Sequence, residues 1–170
     1  GAVLGNAELM QRVKVLRTFL GNMASPNTCW LLTRSLETLK VRMDQQAKNA
    51  EAVADFLNSH ELVNKVSYLG LIPEGTEEYD LYKKQYSSPG AMISFYIKGG
   101  EKEAFTFLNN LELFQLAVSL GSTESLAQHP ASMTHIGLDP EHKENIGITD
   151  QLVRLSIGVE NSDDLISDIS

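Results

Sequence analysis

Cysteine is almost missing from this chain. Cys29 is the single one in 170 residues, so no internal disulfide can form and no cysteine-rich zinc site can be built. Basic residues are outnumbered, 14 against 22 acidic ones, which leaves a formal net charge of −8 and no cluster dense enough to neutralise a run of phosphates. Nucleic acid is therefore not an expected partner. There is no apolar run long enough to cross a bilayer and no secretory leader pattern, which predicts a cytoplasmic protein without a membrane partner. Repeats and low-complexity tracts are absent as well. So is an initiating methionine: "GAVLG" reads as a buried strand bounded by glycines, an opening expected in the middle of a longer protein. At the other end "ENSDDLISDIS" opens with the helix-start residues Asn161, Ser162, Asp163 and Asp164 and runs for barely two turns, which reads as a second truncation.

What is present is an ordinary globular composition, 42% hydrophobic and 21% charged, enough for one core. "NAELMQRVKVLRTFLG" carries Leu9, Val13, Leu16 and Leu20 at helical spacing, with Asn6 placed to cap it and Gly21 to stop it. From Ser25, a cap, and Pro26, suited to a first turn, Leu32, Leu36, Leu39, Met43, Ala47, Ala50, Ala54 and Leu57 recur at three- and four-residue steps. That stripe predicts one long amphipathic helix bridging two parts of a larger molecule. Beyond it the rhythm changes. Strands are predicted at 63–69, 91–97, 113–120 and 152–159, with helices at 77–86 and 101–111, an α/β layer arrangement.

Polar residues that could carry chemistry are few. Lysines such as Lys40, Lys65, Lys98 and Lys143 sit on polar faces or beside turns, which is where solvated lysines belong. His129 and His135 lie six residues apart, a spacing that matches no helical metal pair, so both are read as structural hydrogen-bonding groups and no metal site is expected. Arg154 is different. In "LVRLSIGVE" strict alternation sends Val153, Leu155, Ile157 and Val159 to one face and Arg154, Ser156 and Gly158 to the other. A guanidinium on a buried strand needs an acceptor, because a dry unpaired charge costs several kcal/mol. Two readings stay open: an internal salt bridge, or a fork that grips a ligand carboxylate. Ser119 closes the strand pattern "LFQLAVSLG" at a place where α/β domains commonly meet ligands. The following "GSTES" reads as a helix start, with Ser122 or Thr123 capping a short "ESLAQ" helix and Glu124 near its positive end.

"SLGSTESLAQHPASMTH", followed by "GITDQLVRLSIGVENSDDLISDI", closely resembles the C-terminal domain of the pyridoxal-phosphate-dependent enzymes of cysteine and methionine metabolism: cystathionine γ-synthase, cystathionine and methionine γ-lyases, and O-acyl-homoserine sulfhydrylases. "SPNTCWLLTRSLETLKVRMDQQAKNAEAV" is similar to the same family's helix linking large and small domains. The resemblance implies the aspartate-aminotransferase-like fold type I. On it, residues 1–25 end the large pyridoxal-phosphate-binding domain, 26–59 form the connecting helix, and 60–170 form most of the small C-terminal α/β domain. It places the Schiff-base lysine upstream of Gly1, together with the phosphate turn and the residues that hold the ring. No catalytic, cofactor-binding or metal-ligating residue is then expected inside the chain.

What the resemblance carries onto these positions is substrate binding. Arg154 matches the arginine that holds the substrate α-carboxylate, Ser119 and Leu120 match the segment that borders it, and Thr134 in "SMTH" is similar to a threonine lining the pocket. Glu124 and His129 match positions with structural roles. "VLRTFLGN" has Arg17 and Thr18 where typical methionine γ-lyases have a lysine–aspartate pair, a departure that bears against a strict methionine γ-lyase. The implied activity is γ-elimination or γ-replacement on methionine, cystathionine or an O-acyl-homoserine, with pyridoxal phosphate as the cofactor, a small sulfur amino acid as partner, and a homotetramer as the assembly. The contrasting expectation is a non-catalytic module that folds and associates through its long helix without cofactor chemistry.

Overall fold

Asn6 starts the first helix in the computed structural model, which describes residues 3–170: its side-chain oxygen accepts the Leu9 N–H at 2.9 Å. Helix α1 (Ala7–Leu20) stops at Gly21, where φ is 73° and the N–H reaches back to the Arg17 carbonyl at 3.0 Å, a left-handed cap that suits glycine. Helix α2 (Pro26–Leu36) is capped by Ser25, whose Oγ accepts the Thr28 N–H at 3.2 Å, with Pro26 in its first turn. Both helices belong to a unit spanning Gly1–Lys40, and none of their residues is buried. Gly1 and Ala2 of the expected opening strand lie outside the described residues, and Val3, Leu4 and Gly5 form no strand.

The single long helix expected from residue 26 is two helices. After α2 the chain turns at Glu37 and Thr38, and α3 runs over Leu39–Ser59. The local chemistry explains the break. Thr33 Oγ1 and Ser35 Oγ both bond back to carbonyls four residues earlier, at 2.9 and 2.8 Å, a habit that weakens and bends helices. Glu37 N–H then takes the Arg34 carbonyl, three residues back, instead of continuing the α ladder.

The second unit, Val41–Ser170, is the α/β body. Its strands are β1 (Val63–Ser67), β2 (Met92–Ile97), β3 (Gln115–Leu116), β4 (Leu126–Gln128) and β5 (Leu152–Ser156), in the sheet order β1-β2-β5-β4-β3. Only the β3/β4 pair is parallel. Helices α4 (Glu77–Gln85), α5 (Glu101–Asn110), α6 (Pro140–Asn145) and α7 (Ser162–Ile169) lie between and after the strands. One sheet face is wholly apolar: Ile93, Phe95, Val153, Leu155 and Ile157 pack with Ala50, Val53, Ala54 and Leu57 of α3, Ala104 and Leu108 of α5, and Leu165 and Ile169 of α7. Among the described residues no helix is long and apolar enough to cross a membrane.

Two expectations near the C-terminal half are corrected. The strand expected over 113–120 is paired only at Gln115 and Leu116, because its partner β4 is three residues long and ends before Pro130, which has no N–H to offer a ladder. The short helix expected at "ESLAQ" is that strand β4, fully buried between β3 and β5. Neighbours on both sides supply backbone partners, and tertiary pairing overrides the local cap signal. The hydroxyls read as caps serve a carboxylate instead: the Ser122 side chain, then backbone and the Thr123 hydroxyl, hold Glu124 below its ordinary range.

Just before β3, Asp168 of α7 accepts three backbone N–H groups, from Glu112 at 2.8 Å, Leu113 at 3.1 Å and Phe114 at 3.0 Å. This carboxylate fixes the entry into β3. Asp168→Ala removes the shared acceptor of three donors, and a loss of roughly 2–4 kcal/mol is expected in chemical denaturation of the complete protein. Unchanged stability would show that water replaces the carboxylate at no cost.

Candidate functional site

The register of the sheet puts Arg154 at the centre of its second face. Arg154 of β5 is directly opposite Ser94 of β2 on one side and Gln128 of β4 on the other, and directly opposed residues share a face. Ser156, two residues on, is buried on the same face. The alternation read from the sequence holds as far as Ile157, with Val153, Leu155 and Ile157 in the core and Arg154 and Ser156 on the other face. The strand expected over 152–159 ends at Ser156, however, and Val159, expected on the core face, is 37% exposed.

Arg154 is half-buried, and its Nη2 donates to the carbonyls of Val118 at 3.2 Å and Ser119 at 3.3 Å. Both bonds are long for N–H···O contacts. Among the described residues no other acceptor, and no carboxylate, bonds the guanidinium. Burial lowers its pKa below the ordinary range and desolvation is the sole cause, as expected for an arginine without an ion-pair partner. It stays charged. The arrangement is a cation on a scaffold strand, leaning on two carbonyls, with the rest of its fork free to take a planar anion.

The other residues expected at the site fall in different relations to it. Ser119 meets Arg154 through its main-chain carbonyl while its side chain is exposed. Leu120 follows in the same irregular segment, 56% exposed, with no side-chain role in the cluster. Thr134 joins indirectly: its Oγ1 lies 3.4 Å from Gln128 Nε2 and 2.8 Å from His135 Nδ1. Gln128 went unnoticed in the sequence because β4 was not recognised, and without that strand nothing places it beside Arg154. Its side chain is 1% exposed and its Oε1 has no hydrogen-bond partner, so the residue directly opposite Arg154 on β4 carries a buried, unsatisfied acceptor.

His129 is structural, as expected. It is buried, its Nδ1 bonds Ser132 Oγ at 2.7 Å, its Nε2 bonds the Asp150 carbonyl at 2.9 Å, and Phe105 packs edge-on against the ring. Both ring nitrogens are occupied, so the imidazole is not available to a ligand. Among the described residues no group of three His, Cys, Asp or Glu side chains gathers to hold a metal.

A small mixed α/β domain with α3, α5 and α7 packed on one sheet face is consistent with the fold type I domain of pyridoxal-phosphate-dependent enzymes. The whole chain, residues 1–170, matches the family described as Cys/Met metabolism PLP-dependent enzymes, and the protein belongs to it. It is 47% identical to an L-methionine gamma-lyase of Fusobacterium nucleatum over 99% of this chain and 43% of that protein. Identity is also 47% to the cystathionine gamma-lyase of Sus scrofa, over 99% of this chain and 42% of that one. Among solved structures, a cystathionine gamma synthase from Xanthomonas oryzae in complex with aminoacrylate and cysteine superposes with a TM-score of 0.88 at 41% identity, covering 98% of this chain and 43% of that chain. A Campylobacter jejuni protein provisionally named O-acetylhomoserine (thiol)-lyase, which carries N'-pyridoxyl-lysine-5'-monophosphate, superposes with a TM-score of 0.86 at 40% identity, covering 98% of this chain and 39% of that one. The chain thus spans about 43% of the length of the curated relatives it matches.

The family's cofactor is pyridoxal phosphate. Nothing in the structure marks one of the described lysines as its attachment point. The lysines are exposed except for half-buried Lys143, and the one lysine in the sheet, Lys65 on β1, holds its ammonium 5.9 Å from the centre of the Tyr96 ring. No step through the cofactor is therefore assigned to this chain.

Proposed function

We propose that this chain is the carboxylate-binding part of a pyridoxal-phosphate-dependent enzyme that carries out γ-elimination or γ-replacement on methionine, cystathionine or an O-acyl-homoserine. Residues 1–25 end its large domain, 26–59 connect, and 60–170 form the small domain. The complete enzyme works in the cytoplasm as a homotetramer. The observation that carries the reading is Arg154, a half-buried guanidinium with two loose carbonyl contacts and no carboxylate partner among the described residues.

The geometry suits one task. A planar fork fixed to a central strand accepts a substrate α-carboxylate through two parallel N–H···O bonds, the mode of recognition that guanidinium geometry favours. The Val118 and Ser119 carbonyls set the plane of the fork from behind. Ser119 and Leu120 then border the carboxylate, and Thr134, tied to Gln128, lines the wall. Fixing one end of an amino acid orients its Cα–H bond, an effect worth several kcal/mol of barrier. The relatives named methionine and cystathionine gamma-lyases are equally identical to this chain, so identity does not choose among the substrates.

The test is turnover by the complete enzyme with methionine, cystathionine and O-acetylhomoserine in turn, with and without an added thiol, following 2-oxo acid, ammonia and thioether. Consumption of at least one substrate is expected. Consumption of none, with the cofactor bound, would favour the module that associates without chemistry.

A further inference from the structure

The segment that receives Arg154 has no regular structure of its own. Between β3 and β4, residues 117–125 form neither helix nor strand, yet the Val118 and Ser119 carbonyls must stay in place if the fork is to keep one orientation. The restraint comes from outside the segment. Gly121 N–H donates to Ser156 Oγ at 2.9 Å, Val159 N–H donates to the Thr123 carbonyl at 2.9 Å, and Ser125 donates through N–H and Oγ to the Glu160 carboxylate at 2.6 and 2.9 Å. Packing there is close: a side chain at Gly158 would run into the Thr123 carbonyl and the Glu160 carboxylate.

Helix α3 completes the clamp with a buried amide. Gln46 is 1% exposed, and its Nε2 donates to the Ser122 carbonyl at 2.6 Å and to the Ile157 carbonyl at 3.1 Å. One amide group thus bridges the Arg154-receiving segment and the continuation of the strand that carries Arg154. Its neighbour Asn49, equally buried, donates through Nδ2 only to the far side, the carbonyls of Gly158 at 3.1 Å and Glu160 at 2.7 Å, while its Oδ1 accepts from Gln45 at 2.7 Å. Gln46 Oε1 has no partner. A dry acceptor is a cost, and an apolar side chain would fill the same space between helix and sheet without it. What the glutamine adds is the pair of donors.

We infer that Gln46 is a positioning residue for substrate carboxylate recognition. By fixing Ser122 against β5 it fixes the preceding carbonyls and, through them, the plane of the Arg154 guanidinium. The inference rests on the reading of Arg154 given above.

The experiment uses the complete enzyme with Gln46→Met, which keeps the volume and removes both donors. KM for an α-carboxylate substrate is expected to rise roughly tenfold with kcat within about twofold, while kcat/KM for the α-carboxamide analogue stays within about twofold of wild type. In an Arg154→Lys background the Gln46→Met effect should shrink below about twofold, because both changes act on one interaction. Ser156→Ala, which frees Gly121 at the other end of the segment, should give the same split and serves if Gln46→Met does not fold. Equal losses on both substrates, or effects that add in the double mutant, overturn the inference. If Arg154→Lys fails to distinguish carboxylate from carboxamide, the reading of Arg154 falls and takes this one with it. If Arg154→Lys does distinguish them and neither Gln46→Met nor Ser156→Ala does, only the role of Gln46 is refuted.

Discussion

Arg154→Lys in the complete enzyme is expected to lower kcat/KM for amino-acid substrates by about 2–4 kcal/mol, roughly 30- to 1,000-fold, with the protein folded and the cofactor absorbance intact. An ammonium offers a point charge where the fork offers two parallel donors in one plane, so lysine keeps the sign and loses the geometry. The structure sharpens the expectation. Had Arg154 been tied to an internal carboxylate, its replacement would leave a buried anion unpaired and cost stability first. Among the described residues it is bonded only to the Val118 and Ser119 carbonyls, groups that a lysine or water can also serve. α-Carboxamide analogues should lose most of the difference between wild type and variant, since they never made the contact. Unfolding of the variant with kcat/KM per folded molecule unchanged would make Arg154 a structural residue.

How far the sequence could lead depended on whether a feature was local. Asn6, Ser25 and Asn161 cap the helices they were expected to cap, and Gly21 ends α1, because a cap is decided within four residues. The two-sided character of β5 was legible for a similar reason: alternation over five residues suffices to put Arg154 opposite Val153 and Leu155. Strand β4 was not legible. Three residues carry no periodic signal, and their identity as a strand comes from β5 on one side and β3 on the other, far away in sequence. Gln128 was lost with it. Gln46 and Asn49 were hidden for another reason. They flank the apolar stripe of α3 and look like its polar margin, but carbonyls of Ser122, Ile157, Gly158 and Glu160, 76 to 111 residues away, give them partners in the interior. Thr33 and Ser35, which weaken the end of α2, were in plain view, and the apolar spacing across them masked the break.

The largest effect is expected from the 170-residue chain by itself: no turnover of any sulfur amino acid, no pyridoxal absorbance that borohydride fixes to a specific lysine, and concentration-dependent association. The first two follow from the resemblance to the family, which places the Schiff-base lysine and the phosphate turn outside these residues; the lysines present are exposed apart from half-buried Lys143. The carboxylate-binding role proposed for Arg154 is recognition, and catalysis needs a reacting group in addition. The third follows from α1 and α2. Neither buries a single residue, and Leu16, Leu20, Leu32 and Leu36 are more than half exposed, with Phe19 at 85% and Trp30 at 60%. Apolar side chains in that number, at helical spacing, are the face of an interface and not of a solvated surface. Light scattering and dye binding should therefore report association through residues 1–40, and substituting Leu16, Phe19 and Leu36 by serine or glutamine should reduce it while leaving the Val41–Ser170 unit folded. A stable monomer that binds no hydrophobic dye would overturn the expected association, and a borohydride-fixed pyridoxal on one defined lysine would overturn the expected lack of cofactor binding.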